Sequence, residues 1–387
     1  MRYLSETLAK FANHKFVLLS GPRQVGKTTV AQEWLTEKNG DYFNWDVDDH
    51  KQAIIEHSFL NPLSKAAFVF DEIHKYGRWK SWLKGLYDLY HGKFQVVAAG
   101  SAKLDLFQKG GDSLLGRYEY LRLHPFSIGE LIHGKLVPPP DDWIGLNPKE
   151  TSYEKWLRLE RLSGFPEPYS ANDDLYYKRW STRRRSLLVK EDIREITQVK
   201  TLSLVEHLAI LLPQRVGSPL SVNAMREELQ VAHDTISSWL AILERLYFCF
   251  RITPYHKKIA RGLKKEQKLY LWDWSQIENP AARFENMVAS HLLKSVHAWN
   301  DLGYGEYSLH YVRDKEKNEI DFLIAERHKP VVFIECKLNE SGISLPQKLV
   351  NQFDKIPVLQ LVSPDGIDYT KGRIRVVTAH RYLTGLV

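Results

Sequence analysis

The sequence has only two cysteines in 387 residues and no hydrophobic run that approaches the length of a membrane span. Cys249 and Cys336 are far apart and form no metal-type pair, which argues against a disulfide framework and favours a reducing compartment. A bilayer-spanning helix needs roughly 20 apolar residues. The N-terminal stretch MRYLSETLAKFANHK also lacks the apolar segment of a signal peptide. We therefore expect a cytoplasmic protein without a membrane partner.

The composition, 43% hydrophobic and 26% charged, is that of an ordinary globular protein, and the length predicts two or three domains. A net charge of +7 slightly favours polyanionic partners. Basic residues concentrate at 181–190 (STRRRSLLVK) and 256–268 (HKKIARGLKKEQK). A solvated surface is the alternative explanation for either stretch.

Short apolar segments alternate with helical stretches in the first third of the chain, which predicts a parallel α/β sheet. The predicted strands are 15–20, 41–47, 66–72, 94–101 and 117–123. A proline-rich break, KLVPPPDDW, follows, and residues 150–212 are predicted to be mostly helical.

Residues 218–255 carry two helical apolar stripes followed by a β-rich segment, and KLYLWDW (268–274) can return as a further strand. This order predicts a winged helix, with a simple helical hairpin as the alternative. The last block is predicted as helix 280–299, three strands, a short helix and two more strands. We therefore predict an α/β core at 1–135, a helical lid or linker at 136–212, a winged helix at 213–267 and a second α/β domain at 268–387.

The stretch GPRQVGKTT fits the pattern G-x-x-x-x-G-K-[ST] of a nucleotide-binding P-loop, between a strand and a helix. Gly21 and Gly26 allow main-chain N–H groups to converge on phosphates, while Lys27 reaches the β- and γ-phosphates. Thr28 is expected to bind Mg²⁺. The other residues of the predicted ATP-binding stretch are Pro22, Arg23, Gln24, Val25 and Thr29.

Two acidic residues follow the predicted strand in AAFVFDEIHK. Asp71 is placed to complete the Mg²⁺ shell, and Glu72 to polarise a water molecule against the γ-phosphate. Downstream of a P-loop, this pair favours hydrolysis of ATP over binding alone.

Two further positions are candidates for the same site. Ser101 ends the strand FQVVAAGS, where a polar side chain can sense the γ-phosphate. Arg117 can stabilise transition-state charge in its own subunit or in a neighbour's, and the second case requires a homo-oligomer. A surface salt bridge is the alternative for Arg117.

A second group of candidates lies near the C-terminus, in NEIDFLIAERHKPVVFIECK. Glu335 and Lys337 are two apart on one predicted strand and so share a face, where Asp321 of the preceding strand can meet them. Two carboxylates that hold Mg²⁺ or Mn²⁺ and a lysine beside them suit metal-assisted phosphodiester hydrolysis. A structural hairpin with exposed charges is the alternative.

Taken in order, GPRQVGKTT, VFDEIHK, LLGRYEYLRLHPFSIGEL, KLYLWD, RFENMVASHLL, EIDFLI and FIECK resemble a group of bacterial and archaeal AAA+-type ATPases. That group carries a C-terminal domain formerly of unknown function. The resemblance implies a P-loop NTPase core, a winged-helix middle and a restriction-endonuclease-like α/β end. In related ATPases a polar residue at the end of a strand senses the nucleotide, and the resemblance implies that Ser101 is this residue. It also implies that Arg117 corresponds to an arginine that follows a glycine in these ATPases.

Asp321, Glu335 and Lys337 resemble the D-x(n)-E-x-K arrangement of PD-(D/E)XK nucleases. The resemblance implies that Glu285, on the preceding helix, is the extra acidic residue of several nuclease branches. It also makes Gln347, in the following helix, a weaker candidate. The proline that gives the motif its first letter is absent before Asp321. In this family the nuclease fold is inferred more often than its activity.

Three functions are compatible with these patterns. The first is an ATP-driven DNA-processing protein with a C-terminal deoxyribonuclease site. The second is a nucleotide-switched regulatory or DNA-binding ATPase whose nuclease-like domain is inactive. The third, a remodelling ATPase that acts on proteins, ranks last because the sequence contains no marked peptide-threading loop.

Overall fold

We describe the chain from a computed structural model that covers residues 2–61, 65–100, 116–189, 193, 202–256, 266–340, 342–353 and 355–387. The chain forms two compact units, Met1–His124 and Pro125–Val387. Our four-part division of the chain stays a prediction.

The first unit is built on a five-stranded parallel sheet in the order β2-β3-β4-β1-β5. The strands are β1 (Phe16–Ser20), β2 (Gly40–Asn44), β3 (Ala67–Asp71), β4 (Gln95–Ala99) and β5 (Tyr118–Arg122). The helices are α1 (Ser5–Ala12), α2 (Lys27–Thr36), α3 (Asp48–Glu56) and α4 (Trp79–Tyr90). The predicted parallel α/β sheet is therefore confirmed.

Burial explains why the central strands are continuous apolar runs. Every residue of β1 and β3 is buried, as expected for a parallel sheet that is covered on both faces. Aromatic side chains fill one layer of this core, where Phe70 meets Trp82 edge-to-face at 4.9 Å between ring centroids. The rigid sheet fixes the ends of its strands, where the P-loop and the acidic pair lie.

The second unit begins with helices. They are α5 (Ile128–His133), α6 (Tyr153–Leu162), α7 (Pro166–Ala171), α8 (Asp174–Leu187), α9 (Leu202–Leu211), α10 (Val222–Leu229) and α11 (His233–Arg245). The side chain of Ser221 caps α10 by accepting from the Ala224 N–H. In α11, Ile236, Leu240 and Leu243 are buried, so the predicted apolar stripe is confirmed.

An eight-stranded mixed sheet organises the rest of the second unit, in the order β12-β13-β11-β10-β9-β8-β6-β7. Its strands are β6 (Cys249–Pro254), β7 (Lys268–Leu271), β8 (Tyr307–Arg313), β9 (Glu319–Glu326), β10 (Lys329–Lys337), β11 (Val358–Val362), β12 (Asp368–Lys371) and β13 (Ile374–Thr378). Strands β6 and β7 pair antiparallel, and β6 joins β8 in parallel. The predicted boundary at 267/268 thus falls between two paired strands.

Three helices complete the second unit: α12 (Pro280–Asp301), α13 (Gln347–Asn351) and α14 (Ala379–Thr384). The sequence predicted α12 and α13 but neither β12 nor α14. Trp274 and Trp299 are almost fully buried, and their indole N–H groups donate to main-chain carbonyls of Leu159 and Val137. In the described ranges, no helix combines the length and the apolar character that a bilayer crossing demands.

Candidate nucleotide site and candidate acidic site

The P-loop connects the end of β1 to the start of α2. Gly21 and Gly26 have φ values of +142° and +94°, which side-chain-bearing residues rarely adopt. At Gly21 an added Cβ would lie only 2.1 Å from the Leu123 carbonyl oxygen. Both glycines are therefore required by the path of the main chain as well as by any ligand.

The loop is held from two sides. Lys27 Nζ donates to the carbonyl oxygens of Gly21 (3.0 Å) and Pro22 (2.7 Å), so its ammonium lies within the curve of the loop. The Arg2 guanidinium donates to the carbonyls of Val25 and His124, which ties the loop to the chain after β5. The conformation is thus fixed before a phosphate arrives, which lowers the entropic cost of binding one.

Thr28 and Asp71 are brought together as predicted. Thr28 Oγ1 donates to Asp71 Oδ2 at 2.6 Å, at the carboxyl edge of the sheet. Hydroxyl and carboxylate oxygens are the ligands that Mg²⁺ prefers, so this pair fits a nucleotide-bound magnesium ion. Tyr42, which the sequence did not single out, also donates to Asp71 Oδ2 at 2.9 Å. Burial and the Asp71 carboxylate raise the pKa of Tyr42.

Glu72 follows directly, in a left-handed conformation with φ of +53°. Burial raises the pKa of its carboxyl group, while the charges of Lys75 and Lys27 oppose that rise. Its Oε2 lies 3.5 Å from Lys75 Nζ and is a buried oxygen without a hydrogen-bond partner among the described residues. A buried carboxylate with a spare acceptor position can bind and polarise a water molecule.

The structure does not bring Arg117 to this site. Arg117 precedes β5, whose register places Tyr118 beside Phe16, at the opposite end of the strands from the P-loop. Five residues of strand separate the two ends, about 15 Å. The Arg117 guanidinium binds the Asp88 carboxylate, with Nε to Oδ1 at 2.6 Å. The salt-bridge alternative is therefore observed, and action in a neighbouring subunit stays a prediction. Ser101 lies outside the described residues.

In the second unit, Asp321, Glu335 and Lys337 meet as predicted, across the pairing of β9 and β10. The Asp321 N–H donates to Glu335 Oε2 at 3.3 Å, and the Cys336 N–H donates to Asp321 Oδ2 at 2.8 Å. Lys337 Nζ donates to Glu335 Oε1 at 2.6 Å. The three side chains thus share one face of the sheet.

A second lysine, which the sequence did not single out, completes this group. Lys268 is fully buried, and its ammonium lies 2.6 Å from Glu319, 3.2 Å from Glu285 and 3.7 Å from Asp321. Burial alone would lower its pKa, but the three carboxylates raise it, so Lys268 stays charged. We call these residues, with Glu335 and Lys337, the acidic cluster.

The acidic cluster is short of positive charge. Burial and the neighbouring Asp321 raise the pKa of Glu335 to about 8, against the opposing effect of Lys337. The same two causes raise the pKa of Glu285 to about 7. Burial would lower the pKa of Lys337, but its hydrogen bond to Glu335 raises it. Four carboxylates therefore share two ammonium groups and the Arg313 guanidinium, which lies 3.6 Å from Glu319, in a partly buried volume.

These charges bear on the expected metal ion. Asp321 and Glu335 supply oxygen ligands and an excess of negative charge, and both fit a divalent cation. Within the described part of the chain, however, no group of three or more His, Cys, Asp or Glu side chains forms a metal site. A metal ion would therefore depend on these two carboxylates and on water.

Glu285 and Gln347 differ in position. On α12, Phe284, Val288 and Leu292 are buried as predicted, and Glu285 contacts the acidic cluster through Lys268. Tyr270 also donates to Glu285 Oε1, at 2.8 Å. Gln347 is exposed at the start of α13.

The contacts of Lys268 were missed, although the sequence contains a pattern that bears on them. Lys268 and Tyr270 alternate on β7, and Glu319 and Asp321 alternate on β9, so each pair shares a strand face. That pattern identifies a face but not which distant strand or helix it meets.

Comparisons with known proteins agree with the first site. Residues 13–132 match a family described as an AAA domain. Residues 154–277 and 281–382 match two families that are each described as a domain of unknown function. The AAA match, the parallel sheet and the P-loop geometry together support an AAA+-type ATPase, which implies use of a nucleotide and Mg²⁺.

Among relatives, an uncharacterized protein of Haemophilus influenzae is 23% identical over 363 residues, which cover 86% of this chain and 85% of that protein. An uncharacterized protein of Methanocaldococcus jannaschii is 24% identical, over 69% of this chain and 63% of its own length. The solved RuvB structure from Thermotoga maritima is 18% identical over 64% of this chain and 85% of its own, with a TM-score of 0.30. That score is too low to contribute to the assignment.

Proposed function

We propose that this chain hydrolyses ATP and acts on DNA, and that the acidic cluster is a metal-dependent phosphodiester-cleaving site. The observation that carries the proposal is the convergence of Asp321, Glu335 and Lys337 on one sheet face, in a unit separate from the nucleotide site. A cytoplasmic location and a homo-oligomer that places Arg117 in trans remain part of the proposal.

In the ATPase half, Lys27 and the loop N–H groups would hold the phosphates, and Thr28 and Asp71 would hold Mg²⁺. Glu72 would orient the attacking water and accept its proton at Oε2, which accepts no hydrogen bond among the described residues. The raised pKa of Glu72 makes it a better base than an exposed carboxylate.

In the DNA half, α10, α11 and the β6–β7 hairpin have the order of a winged helix and would contact the duplex. The basic stretches 181–190 and 256–268 would add phosphate contacts, which should make binding fall steeply with salt concentration.

At the acidic cluster, Asp321 and Glu335 would hold the divalent cation. When bound, such a cation supplies Lewis-acid activation of water and neutralises phosphodiester charge. Lys337 would orient the water or stabilise developing negative charge on the phosphate oxygens.

A second function is favoured by one observation, the Lys268 ammonium among three carboxylates. A permanently charged lysine there can replace a metal ion as the balancing charge. In that case the second unit binds DNA without cutting it, and the chain is a nucleotide-switched regulatory ATPase.

The deciding experiment incubates the purified full chain with linear, circular and branched DNA, with Mg²⁺ or Mn²⁺ and with or without ATP. We expect cleavage that is lost in Asp321→Ala and Lys337→Ala while folding is intact. Glu316→Gln, at an exposed carboxylate between β8 and β9, is the control and should cut normally. Uncut DNA under every condition would leave the regulatory function.

The ATPase half is tested separately by phosphate release. Lys27→Ala and Glu72→Ala should each lower turnover at least 100-fold, because one removes phosphate binding and the other the base. Asp49→Asn, on the exposed side of α3, should not change turnover. Unchanged turnover in Lys27→Ala would overturn the P-loop assignment.

A further inference from the structure

A cavity of about 730 Å³ lies within the second unit, between α8, residues 213–218 and the start of α12. Its size is typical of a pocket for one small molecule and too small for a DNA duplex. The lining residues that matter here are Lys178, Ser181, Thr182, Arg185, Gly217 and Glu285. Glu285 is the member of this wall that also belongs to the acidic cluster.

Glu285 connects the cavity to the cluster through its two carboxylate oxygens. Oε1 accepts from Lys268 and Tyr270 inside the cluster. Oε2 lies 3.3 Å from where a Cβ added at Gly217 would stand, and is the first atom outside the neighbouring residues that it would meet. Gly217 has φ of +81° and no side chain, so the cavity reaches this oxygen. A ligand in the cavity would therefore end beside the acidic cluster.

The part of the cavity wall formed by α8 is basic and polar. Lys178, Thr182 and Arg185 line the cavity from positions i, i+4 and i+7 of α8, which is one helical face. Ser181 and Tyr177 donate to the buried Asp273 at 3.1 and 3.0 Å, so this face of α8 is held in place. A lysine, an arginine and a hydroxyl on a fixed helix are suited to phosphate oxygens.

We infer that the cavity binds one or two nucleotides of a single DNA strand, with a phosphate on Lys178 and Arg185 and a base directed towards Glu285. A carboxylate oxygen accepts hydrogen bonds from the amino groups of bases, whereas the basic wall attracts the backbone. The inference rests on the proposed function, because it supplies the strand that the acidic cluster would act on.

The test measures binding and not cleavage, so it uses the full chain in EDTA. A 5′-fluorescein-labelled 12-nucleotide oligodeoxynucleotide is titrated by fluorescence anisotropy. Lys178→Ala and Arg185→Ala should each weaken binding at least fivefold. Each should also reduce the slope of log affinity against log salt concentration by about one, as expected for the loss of one phosphate contact. Arg179→Ala, exposed on the same helix outside the cavity, is the matched control and should change affinity less than twofold.

A second measurement localises the strand. Ser218→Cys places a thiol at the cavity wall, and Thr370→Cys places one on the exposed strand β12. The oligonucleotide should slow maleimide labelling of Ser218→Cys at least fivefold and leave Thr370→Cys unchanged. Thymidine monophosphate at the same nucleotide concentration should protect much less.

Equal binding by wild type and the Lys178→Ala/Arg185→Ala double variant would overturn the inference, as would unchanged labelling of Ser218→Cys. Full protection by the mononucleotide alone would also overturn it, in favour of a free-nucleotide site. If the strand binds as expected but no DNA is cleaved, the nuclease site is refuted, whereas the inference that the cavity binds a DNA strand is retained.

Discussion

The nucleotide loop and the acidic cluster each place a buried lysine where phosphate chemistry is expected, but they hold it by different means. Lys27 donates to main-chain carbonyls of a loop shaped by two glycines. Lys268 is surrounded by three carboxylates, one from α12 and two from β9. The first site depends on the path of the backbone, and the second on a count of charges. Changes of main-chain shape should therefore damage one site, and changes of charge the other.

The largest effect on stability should come from Lys268→Ala. Removing the fully buried ammonium leaves the half-buried carboxylates of Glu285, Glu319 and Asp321 close together without it, and breaking a buried ion pair typically costs about 3–5 kcal/mol. Urea unfolding, followed by hydrogen exchange in β9 and β10, would measure the loss. Lys329→Ala, exposed on β10, is the control.

Adding Glu285→Gln to Lys268→Ala should restore part of that loss, because it removes one of the stranded charges. A cost below about 1 kcal/mol for Lys268→Ala would mean that the cluster does not depend on this lysine.

Gly21→Ala should damage the nucleotide site by shape alone. The new Cβ would lie 2.1 Å from the Leu123 carbonyl oxygen at φ of +142°, so the loop must move. We expect a stability cost of about 1–3 kcal/mol and at least a tenfold loss of ATP affinity by calorimetry.

Gly77→Ala is the matched control, since a Cβ there meets nothing within 4 Å. Unchanged ATP affinity in Gly21→Ala would show that the backbone path at this glycine is not needed for binding.

One contribution to the stability of the second unit, that of His291, should be lost in acid. Burial and the nearby charge of Lys294 lower its pKa from 6.5 to about 3, against the opposing effect of its hydrogen bond to the Met287 carbonyl. The neutral ring accepts from the Ile128 N–H. Between these pH values the unfolded chain binds a proton that the folded chain does not. The contribution of His291 is therefore complete above pH 6.5 and falls by up to about 1.4 kcal/mol per pH unit below it.

Glu285 and Glu335, whose pKa values are raised, contribute in the opposite direction over the same range. The His291 slope is therefore the difference between wild type and His291→Gln in unfolding curves from pH 7 to pH 5. The same acid slope in the variant would assign the effect to another group.

The smallest effect should come from Arg117→Ala. Its salt bridge with Asp88 is at the surface and at the far end of the strands from the P-loop. Turnover per subunit at low protein concentration should change less than twofold. A drop that appears only at high protein concentration would indicate that Arg117 acts in a neighbouring subunit.

Much of the first site could be predicted because each of its motifs is a short, local stretch of sequence. The P-loop, Asp71 and the five parallel strands were recognised from local patterns, and the contact between Thr28 and Asp71 followed from parallel strands ending at one edge. Tyr42 was missed because its side chain reaches Asp71 from a neighbouring strand. Arg117 was a candidate because its distance from the P-loop is not visible in sequence.

The acidic cluster was predicted only in part. Positions 335 and 337 share a strand face by alternation, and the hairpin brought Asp321 to them. Lys268 was assigned as part of a wing strand, although β7 belongs to the same eight-stranded sheet. Its partners come from β9 and α12, and no local pattern specifies such a meeting.

The sequence by itself determined the P-loop, the alternating strands and helices of the first unit, and the hairpin that carries Asp321 and Glu335. These depend on residue spacing of two or 3.6 and on glycine, which act locally. Only the tertiary structure decided that Arg117 pairs with Asp88, that Lys268 lies among three carboxylates, and that Glu285 borders a cavity. Those contacts join residues that are distant along the chain, so their energies depend on burial and mutual distance that the linear order does not contain.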